Sequence, residues 1–258
     1  MNITMTGASG FIGRHLLRRL LKDGHRVTVL GRSRSRELPG NVHFFEWNAT
    51  EGEPPPQSLE QTDAVIHLAG EPVGQRWNDE VRRKIRESRT KGTRHLVHSL
   101  STVSRRPEVL VSASATGYYG DRGEETLTES SAPGDDFLAE VCEEWEGEAN
   151  LADALGMRVV TIRTGLVLGR DGGALKRMLL PFKLGVGAKL GSGRQWMPWI
   201  HIDDLVEQYS FAVGSRSVRG PMNGTAPNPV RNAEFTQELA SVLKKPALLS
   251  APKFGLKL

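Results

Sequence analysis

Cysteine is nearly absent from this 258-residue chain, which contains only Cys142. A single cysteine excludes a disulfide within the chain and any metal site that needs several thiolates. Long hydrophobic runs are also missing, because no apolar stretch approaches the roughly 20 residues that a membrane-spanning helix needs. The first residues read as a strand and not as a basic segment followed by an apolar stretch and a cleavage site. These absences predict a protein of the reducing cytoplasm that neither spans a membrane nor holds a metal.

Aromatic residues make up only 6% of the chain, and its formal net charge of +4 is modest. The basic residues gather in segments 32–36, 82–94 and 105–106, but no aromatic residues alternate with them as on a nucleic-acid-binding surface. We therefore interpret most of them as solvated helix faces and expect a small-molecule substrate instead of a nucleic acid. The length suits one large domain or a domain with a small additional lobe.

Three glycines spaced three residues apart, Gly7, Gly10 and Gly13, join a strand pattern at residues 2–6 to a helix pattern. A second strand at 26–30 completes a βαβ unit. Glycine allows a sharp turn and a close approach of the backbone to a ligand. The N-terminus of the following helix offers free N–H groups and a positive dipole end to a pyrophosphate. The pattern predicts a dinucleotide site; a tight turn without a ligand is the alternative.

The rest of the chain continues the alternation of strands and helices. Further strands are predicted at 42–47, 63–70, 109–113 and 158–163, and helices at 79–100, 136–155, 174–184, 203–213 and 233–243. This alternation predicts an α/β fold, a Rossmann-like doubly wound parallel sheet with a small C-terminal substrate lobe. We expect residues 1–164 to form the dinucleotide-binding Rossmann domain and residues 165–258 mostly the substrate-side lobe, interleaved with the last strands. The abrupt end of the chain suggests that a C-terminal segment is missing.

The residue that follows the second strand indicates which dinucleotide binds. A carboxylate at this position hydrogen-bonds the ribose 2′-hydroxyl of NAD, but here the sequence reads Leu30-Gly31-Arg32-Ser33. The planar, permanently charged fork of Arg32 suits a 2′-phosphate instead. We therefore predict NADP(H) in preference to NAD(H), with a solvated loop arginine as the alternative. Leu68-Ala69-Gly70, at the end of the fourth strand, are small enough for the cofactor to lie against the sheet edge.

Four motifs together resemble the extended short-chain dehydrogenase/reductase superfamily. They are Thr6-Gly-Ala-Ser-Gly-Phe-Ile-Gly13, His67-Leu-Ala-Gly70, Ser112-Ala-Ser-Ala-Thr-Gly-Tyr-Tyr-Gly120 and Trp199-Ile-His-Ile-Asp-Asp204. Other segments spread over nearly the whole chain, such as Arg163-Thr-Gly-Leu-Val-Leu-Gly169, are similar to an atypical branch. That branch is called the epimerase family, or nucleoside-diphosphate-sugar epimerase-like or cell-division-inhibitor-like proteins. The motifs and the resemblance together assign these residues to the cofactor: Thr6, Gly7, Ser9, Gly10, Phe11, Ile12, Gly13, Arg32, Ser33, Leu68, Ala69, Gly70, Arg89, Ser112 and Ala113.

The chain departs from the superfamily at the residues that normally transfer a proton. Active members carry a Tyr and a Lys four residues apart on the helix after the Ser-containing strand, and both face the cofactor. Alignment on Glu146 places Leu138 at the Tyr position and Cys142 at the Lys position. No lysine occurs between Lys91 and Lys176, so a shift of register does not restore the pair.

Other residues are candidates for the missing chemistry. Ser114 matches the superfamily's catalytic Ser/Thr, with a local structural role as the alternative. Tyr118 lies just beyond it, although packing is the simpler role for a phenol. Glu71 directly follows the fourth strand and would act as a base if partly desolvated, with capping or a surface role as the alternative. Cys142 reads more readily as a small apolar filler than as a reactive thiol.

The substrate-side residues predicted from the sequence carry aromatic and hydrogen-bonding groups suited to a small polar ligand. They are Tyr119, Arg194, Gln195, Trp196, Trp199 and His201, the last with a structural histidine as the alternative. The sequence thus favours an NADP-dependent oxidoreductase or epimerase-like enzyme that acts on an unidentified small polar substrate, which would lie between the 194–201 loop and the candidates Ser114, Tyr118 and Glu71. A non-catalytic NADP-dependent sensor is the alternative.

Overall fold

The structure of the protein is a computed structural model that describes residues 1–247 and 249–251. Its helices are α1 (Phe11–Lys22), α2 (Asp79–Thr102), α3 (Phe137–Asn150), α4 (Gly173–Lys183), α5 (Ile202–Gly214) and α6 (Asn232–Leu243). Its strands are β1 (Asn2–Thr6), β2 (Arg26–Gly31), β3 (His43–Glu46), β4 (Ala64–His67), β5 (Val109–Ala115), β6 (Arg158–Thr164), β7 (Leu166–Gly169), β8 (Ala188–Leu190), β9 (Trp196–Met197), β10 (Trp199–His201), β11 (Gly220–Gly224), β12 (Val230–Arg231) and β13 (Leu249–Ala251). No helix in the described ranges is long and apolar enough to cross a membrane.

The chain divides into two compact units. The first consists of Met1–Thr164 and Val206–Gly224, and the second of Gly165–Leu205 and the segment from Thr225 onwards. The boundary predicted from the sequence lies between residues 164 and 165, and the functions predicted for the two parts remain predictions.

The first unit is built on a seven-stranded sheet in the order β11-β6-β5-β4-β1-β2-β3. Every neighbouring pair runs parallel, as expected when helices connect successive strands. The direction of winding reverses between β1 and β4, because the chain proceeds from β1 to β2 on one side and returns to β4 on the other. In such sheets ligands bind in the crevice at the carboxyl ends of the strands where the winding reverses. The predicted doubly wound parallel sheet is confirmed.

The core of this unit follows from the pattern of apolar residues. All four residues of β4 are buried, as expected for a strand covered on both faces. In α1, the buried residues Leu16, Leu17 and Leu20 recur at helical spacing and cover the sheet. Burial of such leucines contributes about 1.5–3 kcal/mol each.

In the first unit, two elements differ from their predicted form. The helix predicted at 136–155 ends at Asn150 and continues as a 3-10 turn, Leu151–Leu155. Gly156 closes that turn with φ +82°, a left-handed conformation that favours glycine. The strand β11 was not predicted, because its sequence Gly-Pro-Met-Asn-Gly has weak strand propensity. It forms through its pairing with β6.

The second unit contains short strand pairs in place of one large sheet. Strand β7 pairs with β10 in parallel, β9 with β12 antiparallel, and β8 with β13 in parallel. Helices α4 and α6 pack with these strands. The helices predicted at 174–184 and 233–243 correspond to α4 and α6 within one residue.

Candidate functional site

The glycine turn after β1 brings three segments closer together than side chains would allow. Gly7 has φ +69°, and a Cβ on it would lie 2.8 Å from the carbonyl carbon of Leu68. A Cβ on Gly13 would lie 2.1 Å from the carbonyl oxygen of Gly7. Both approaches are shorter than any carbon side chain tolerates, so the turn requires glycine at each position. The third glycine, Gly10, closes the turn with its N–H donating to the carbonyl of Gly7 at 3.0 Å.

Helix α1 begins directly after this turn without a side-chain cap. Gly10 is the N-cap residue and has no side chain that could cap the helix, and no acidic residue lies in the first turn. The first N–H groups of a helix have no partner inside the helix, and those of Phe11 and Ile12 stand at this end. The positive end of the dipole is therefore left for an anion.

Thr6 and His67 connect the ends of β1 and β4. The Thr6 hydroxyl oxygen accepts hydrogen bonds from the backbone N–H groups of Leu68 and Ala69, both at 3.0 Å. Its own proton then goes to Nδ1 of His67, 2.8 Å away, so the proton of the neutral ring lies on Nε2. Complete burial lowers the pKa of His67 to about 4. Thr6 has no exposed surface, so it positions the cavity-lining residues Leu68 and Ala69 without contacting the cavity itself.

A cavity of about 640 Å³ opens at the carboxyl edge of the sheet, where the winding reverses. Eight of the fifteen predicted cofactor residues line it: Gly7, Ser9, Gly10, Arg32, Ser33, Leu68, Ala69 and Gly70. Glu71, predicted as a base, also lines it. Its volume is in the range of small-molecule and cofactor sites.

A further wall of the cavity, not predicted from the sequence, is the segment from Trp47 to Thr50 after β3. Helix α2 holds this segment at close range, since a Cβ on Gly92 would lie 3.0 Å from Cβ of Ala49. Nδ1 of His95 donates to the carbonyl of Ala49 at 2.8 Å. The available signal was its position after a parallel strand, because such segments gather at the edge where ligands bind. Leu38 and the α2 residues Arg83, Lys84, Glu87 and Ser88 also line the cavity.

Arg32 lies at the rim of the cavity, directly after β2. Its side chain is exposed, and no hydrogen bond or ion pair holds its guanidinium within the described ranges. Arg34, two residues on, donates to the carbonyls of Pro39 and Val42 at 3.4 Å and so closes the loop. Of these two arginines, Arg32 is the one that faces the cavity with its donors unused.

Arg89 holds the loop after β4 in place through hydrogen bonds to backbone carbonyls. Its Nη1 donates to the carbonyls of Glu71 and Ile85 at 3.0 and 3.1 Å. A Cβ on Gly70 would lie 3.2 Å from the Arg89 guanidinium carbon, so a larger residue there would require the guanidinium to shift by a few tenths of an ångström. Burial lowers the pKa of Arg89. The loop is fixed further by the Glu71 N–H, which donates to Oγ of Ser88 at 2.9 Å.

Ser114, at the carboxyl end of β5, belongs to a buried charged network. Its hydroxyl donates to Oε1 of Glu146 at 2.5 Å. Arg163 binds the same carboxylate with two bonds, Nε to Oε1 at 2.9 Å and Nη2 to Oε2 at 2.8 Å. Glu146 and Arg163 are only 7% and 3% exposed. Burial by itself lowers the pKa of Arg163, but its bonds to Glu146 and Tyr119 outweigh burial and raise that pKa.

The network forms because three strands align their polar residues. Ser114 of β5 lies opposite Arg163 of β6, and Arg163 lies opposite Asn223 of β11. The Tyr119 hydroxyl accepts from Nη1 of Arg163 at 3.1 Å and donates to Oδ1 of Asn223 at 2.6 Å. The ring of Tyr118 stacks on the guanidinium, with 3.4 Å between the ring centre and Cζ, a cation–π contact. Tyr118 and Tyr119 therefore engage Arg163 directly.

The positions of the absent Tyr–Lys pair are filled by groups that do not transfer protons. Cys142 is buried, and burial raises the pKa of its thiol to about 11. A Cβ on Gly117 would lie 3.4 Å from Cβ of Leu138, so Leu138 packs on the turn after β5. Ser112, a predicted cofactor residue on the same strand, is fully buried, whereas its neighbour Ala113 is partly exposed. In the described part of the chain, no cluster of three or more His, Cys, Asp or Glu side chains is placed to hold a metal ion.

The substrate-side candidates of the second unit have the following local contacts. The ring of Trp196 stacks on the guanidinium of Arg231 at 3.8 Å, and Nη1 of Arg231 donates to the carbonyl of Arg194. Nε2 of Gln195 donates to the carbonyl of Leu190, and Nε1 of Trp199 to the carbonyl of Asn228, at 3.0 and 3.1 Å.

His201, the sixth candidate, lies at the start of α5. Its Nδ1 accepts from the N–H of Asp203 at 3.3 Å. This contact supports the first turn of the helix, where free N–H groups need partners. The structure thus gives the ring of His201 a local structural contact.

The comparisons with known proteins agree with this fold. The model of the NAD-dependent epimerase/dehydratase family matches residues 3–222. The "Epimerase family protein SDR39U1 homolog, chloroplastic" of Arabidopsis thaliana is 45% identical over 270 residues, which cover 100% of this chain and 75% of that protein. The human epimerase family protein SDR39U1 (isoform 2), solved with NADPH, has a TM-score of 0.84 and 35% identity, covering 98% of this chain and 83% of that one.

A more distant solved structure shows the fold alone. It is the UDP-glucuronic acid 4-epimerase of Bacillus cereus, in complex with UDP-glucuronic acid and NAD. Its TM-score is 0.83 at 19% identity, covering 97% of this chain and 85% of that one. The family match extends over most of the sequence, and the similarity to the Arabidopsis protein over all of it. The chain therefore belongs to the NAD-dependent epimerase/dehydratase family, as an atypical extended short-chain dehydrogenase/reductase.

Proposed function

We propose that the protein binds NADP(H), in preference to NAD(H), in the cavity at the carboxyl edge of its large sheet. The observation that carries this proposal is the pairing of an uncapped helix N-terminus with Arg32 around one cavity. A helix N-terminus suits the pyrophosphate, and an unused arginine fork suits a 2′-phosphate. The human relative solved with NADPH supports the same choice.

Different residues around the cavity would contact different parts of the cofactor. The N–H groups of Phe11 and Ile12 would hold the pyrophosphate, and Gly7 allows the backbone to approach it. Arg32 and Ser33 would contact the adenosine ribose and its phosphate. The Trp47–Thr50 segment would cover the adenine, because it forms the wall beyond β2. Leu68, Ala69 and Gly70 lead from there towards the end of β5.

We further propose that the protein is a cytoplasmic oxidoreductase acting on a small polar substrate. The nicotinamide, when bound, supplies hydride transfer. Ser114 stands two residues beyond Ser112, which pairs with His67 of β4, and the residues after His67 line the cavity. Since its proton is donated to Glu146, Ser114 offers a lone pair to a substrate hydroxyl. Glu71 is the candidate base on the adjoining loop.

Tyr118 and the predicted substrate contacts remain predictions. Tyr118 would lie near the substrate through its place beside Arg163. The assignments of Tyr119, Arg194, Gln195, Trp196, Trp199 and His201 to the substrate are likewise untested.

A second candidate function, an NADP-dependent sensor without turnover, is favoured by one observation. Leu138 and the buried thiol of Cys142 occupy the positions of the usual proton-transfer pair. A protein that only reports on its bound nucleotide needs no such pair. It would instead associate with a partner protein in a nucleotide-dependent way.

Turnover distinguishes the two functions. The nicotinamide absorbance band is followed with sugars, ketones, alcohols and quinones, using wild-type protein and Ser114→Ala. If the protein is an oxidoreductase, the wild type should oxidise or reduce at least one of these compounds, and Ser114→Ala should abolish that reaction. No activity with any compound, together with NADPH-dependent capture of a partner, would favour the sensor instead.

A further inference from the structure

An exposed apolar stripe runs along the outer surface of α4 in the second unit. Leu180 and Leu184 are four residues apart, so they lie on the same face of the helix. They are 64% and 69% exposed, and both therefore project from the helix surface. Phe182, between them in sequence, is buried on the opposite face. Val186, just after the helix, is exposed as well and extends the stripe.

The turn after α4 holds Val186 against the last turn of the helix. The N–H of Val186 donates to the carbonyl of Pro181 at 3.0 Å, and the N–H of Gly185 donates to the carbonyl of Phe182 at 3.0 Å. Gly185 has φ +76°, the left-handed conformation in which helices commonly end. A Cβ on Gly187 would lie 2.5 Å from the ring of Phe182, so the chain leaves the helix in close contact with it. The stripe is thus a fixed part of the surface.

Basic side chains border the stripe. Lys176 precedes Leu180 by four residues and Lys183 follows it by three, so both lie beside the leucines on the helix. Both lysines are exposed, and neither forms an ion pair within the described part of the chain. Residues 172–202 include five Lys and Arg and no Asp or Glu. We call the surface formed by Lys176, Leu180, Lys183, Leu184 and Val186 the α4 face.

The positive charge extends to the second unit as a whole. The sequence of this unit carries eleven Lys and Arg against five Asp and Glu, a net charge of +6. The first unit carries 23 against 25, a net charge of −2. This asymmetry indicates an anionic partner for the second unit.

A membrane surface with anionic lipids matches the α4 face better than a second copy of the chain does. Two copies placed face to face would bring like-charged lysines together. A bilayer instead offers phosphates to the lysines and hydrocarbon to the leucines, and lysine stems can lie along apolar surface while their ammonium groups reach the headgroups. Helix α4 has 11 residues, whereas a membrane-spanning helix needs roughly 20, so it would lie along the surface.

We propose that the α4 face docks onto the surface of a membrane that contains anionic lipids. Leu180, Leu184 and Val186 enter the boundary between headgroups and acyl chains, while Lys176 and Lys183 bind headgroup phosphates. The cytoplasmic leaflet of a membrane carries such negative charge. Binding is reversible, because a few aliphatic side chains and basic residues give far less affinity than a spanning helix.

Sedimentation with lipid vesicles tests this proposal. The protein is mixed at low ionic strength with vesicles of phosphatidylcholine alone, or of phosphatidylcholine and phosphatidylglycerol in equal parts. The test variants are Leu180→Gln/Leu184→Gln and Lys176→Gln/Lys183→Gln. The matched controls are Phe211→Gln, which removes an exposed apolar side chain of the first unit, and Lys244→Gln/Lys245→Gln, which removes the same charge elsewhere in the second unit. All these side chains are exposed, so an unchanged thermal unfolding midpoint is expected and checks the fold.

The wild type should sediment with the anionic vesicles and far less with the neutral ones, and added salt should release it. The lysine variant should bind about thirtyfold more weakly, at about 1 kcal/mol for each basic residue near the surface. The leucine variant should bind about tenfold more weakly, and both controls should stay close to the wild type.

The proposal is overturned if the wild type does not bind the anionic vesicles, as would hold for a surface that takes an acidic protein, or if the test variants bind like their controls. Self-association in analytical ultracentrifugation that is lost in Leu180→Gln/Leu184→Gln would also overturn it, in favour of a second copy. None of these measurements involves the cofactor, so their outcome is independent of the proposed function.

Discussion

Acidification should weaken the fold through His67, because its buried ring is held neutral. The Thr6 hydroxyl uses both lone pairs for the N–H groups of Leu68 and Ala69 and its proton for Nδ1 of His67. Protonation of Nδ1 would place its N–H opposite the Thr6 hydroxyl proton, so that two donors would face each other in a site without water. Nε2 has no hydrogen-bond partner among the described residues, so the second ring nitrogen does not compensate.

The direction and size of the effect follow from proton linkage. The pKa of His67 falls from 6.5 to about 4 on folding, so between these values the unfolded chain binds more protons. Stability is therefore complete above about pH 6.5 and is lost as the pH falls towards 4. The difference in pKa corresponds to about 3 kcal/mol once both states are protonated. Between pH 7.5 and pH 5 the loss is about 2 kcal/mol.

Urea unfolding at several pH values measures this loss, with His67→Asn as the test variant. The Asn side-chain oxygen can accept the Thr6 hydroxyl proton as Nδ1 does, but it does not titrate. The exposed His43→Asn is the control. The stability of the wild type should fall by about 2 kcal/mol more than that of His67→Asn between pH 7.5 and 5. Equal pH dependence in the two proteins would refute the reasoning.

Three other outcomes follow from the structure. Gly13→Ala should abolish NADPH binding, measured by titration, because its Cβ would meet the Gly7 carbonyl oxygen at 2.1 Å; unchanged affinity would contradict the packing. Glu146→Gln should lower the free energy of unfolding by about 3–5 kcal/mol by leaving Arg163 buried without its counter-charge, and adding Arg163→Met should recover part of the loss; additive effects of the two changes would argue against the pair. Cys142 should react with iodoacetamide at pH 8 far more slowly than a free thiol, because burial raises its pKa to about 11; rapid alkylation of folded protein would show otherwise.

The glycine turn and the large sheet were predictable because each depends on local sequence. A strand, three glycines and an apolar helix face impose a βαβ unit by steric and periodic rules alone. Strand β11 was missed, since Gly220–Gly224 lacks strand-forming side chains and is defined by its partner β6. The Trp47–Thr50 wall was missed because its position depends on Gly92, which is far away in sequence.

The charged network around Ser114 could not be predicted from the sequence. Glu146 is 32 positions away from Ser114, and Arg163 joins them through the register of β5 and β6. No motif encodes that register, so the sequence identified Ser114 as a candidate but not the carboxylate that accepts its proton. The departure at Leu138 and Cys142 was visible in the sequence, because side-chain identity alone excludes the usual proton transfer.

The proposed preference for NADP(H) depends on Arg32 at the carboxyl edge of the sheet. Calorimetric titration of wild type and Arg32→Ala with NADPH and NADH tests it most directly. The wild type is expected to prefer NADPH, and Arg32→Ala is expected to lose roughly 1.5–3 kcal/mol of NADPH binding, with NADH affinity unchanged. Equal affinity of the wild type for the two cofactors, or a preference for NADPH that survives Arg32→Ala, would contradict it.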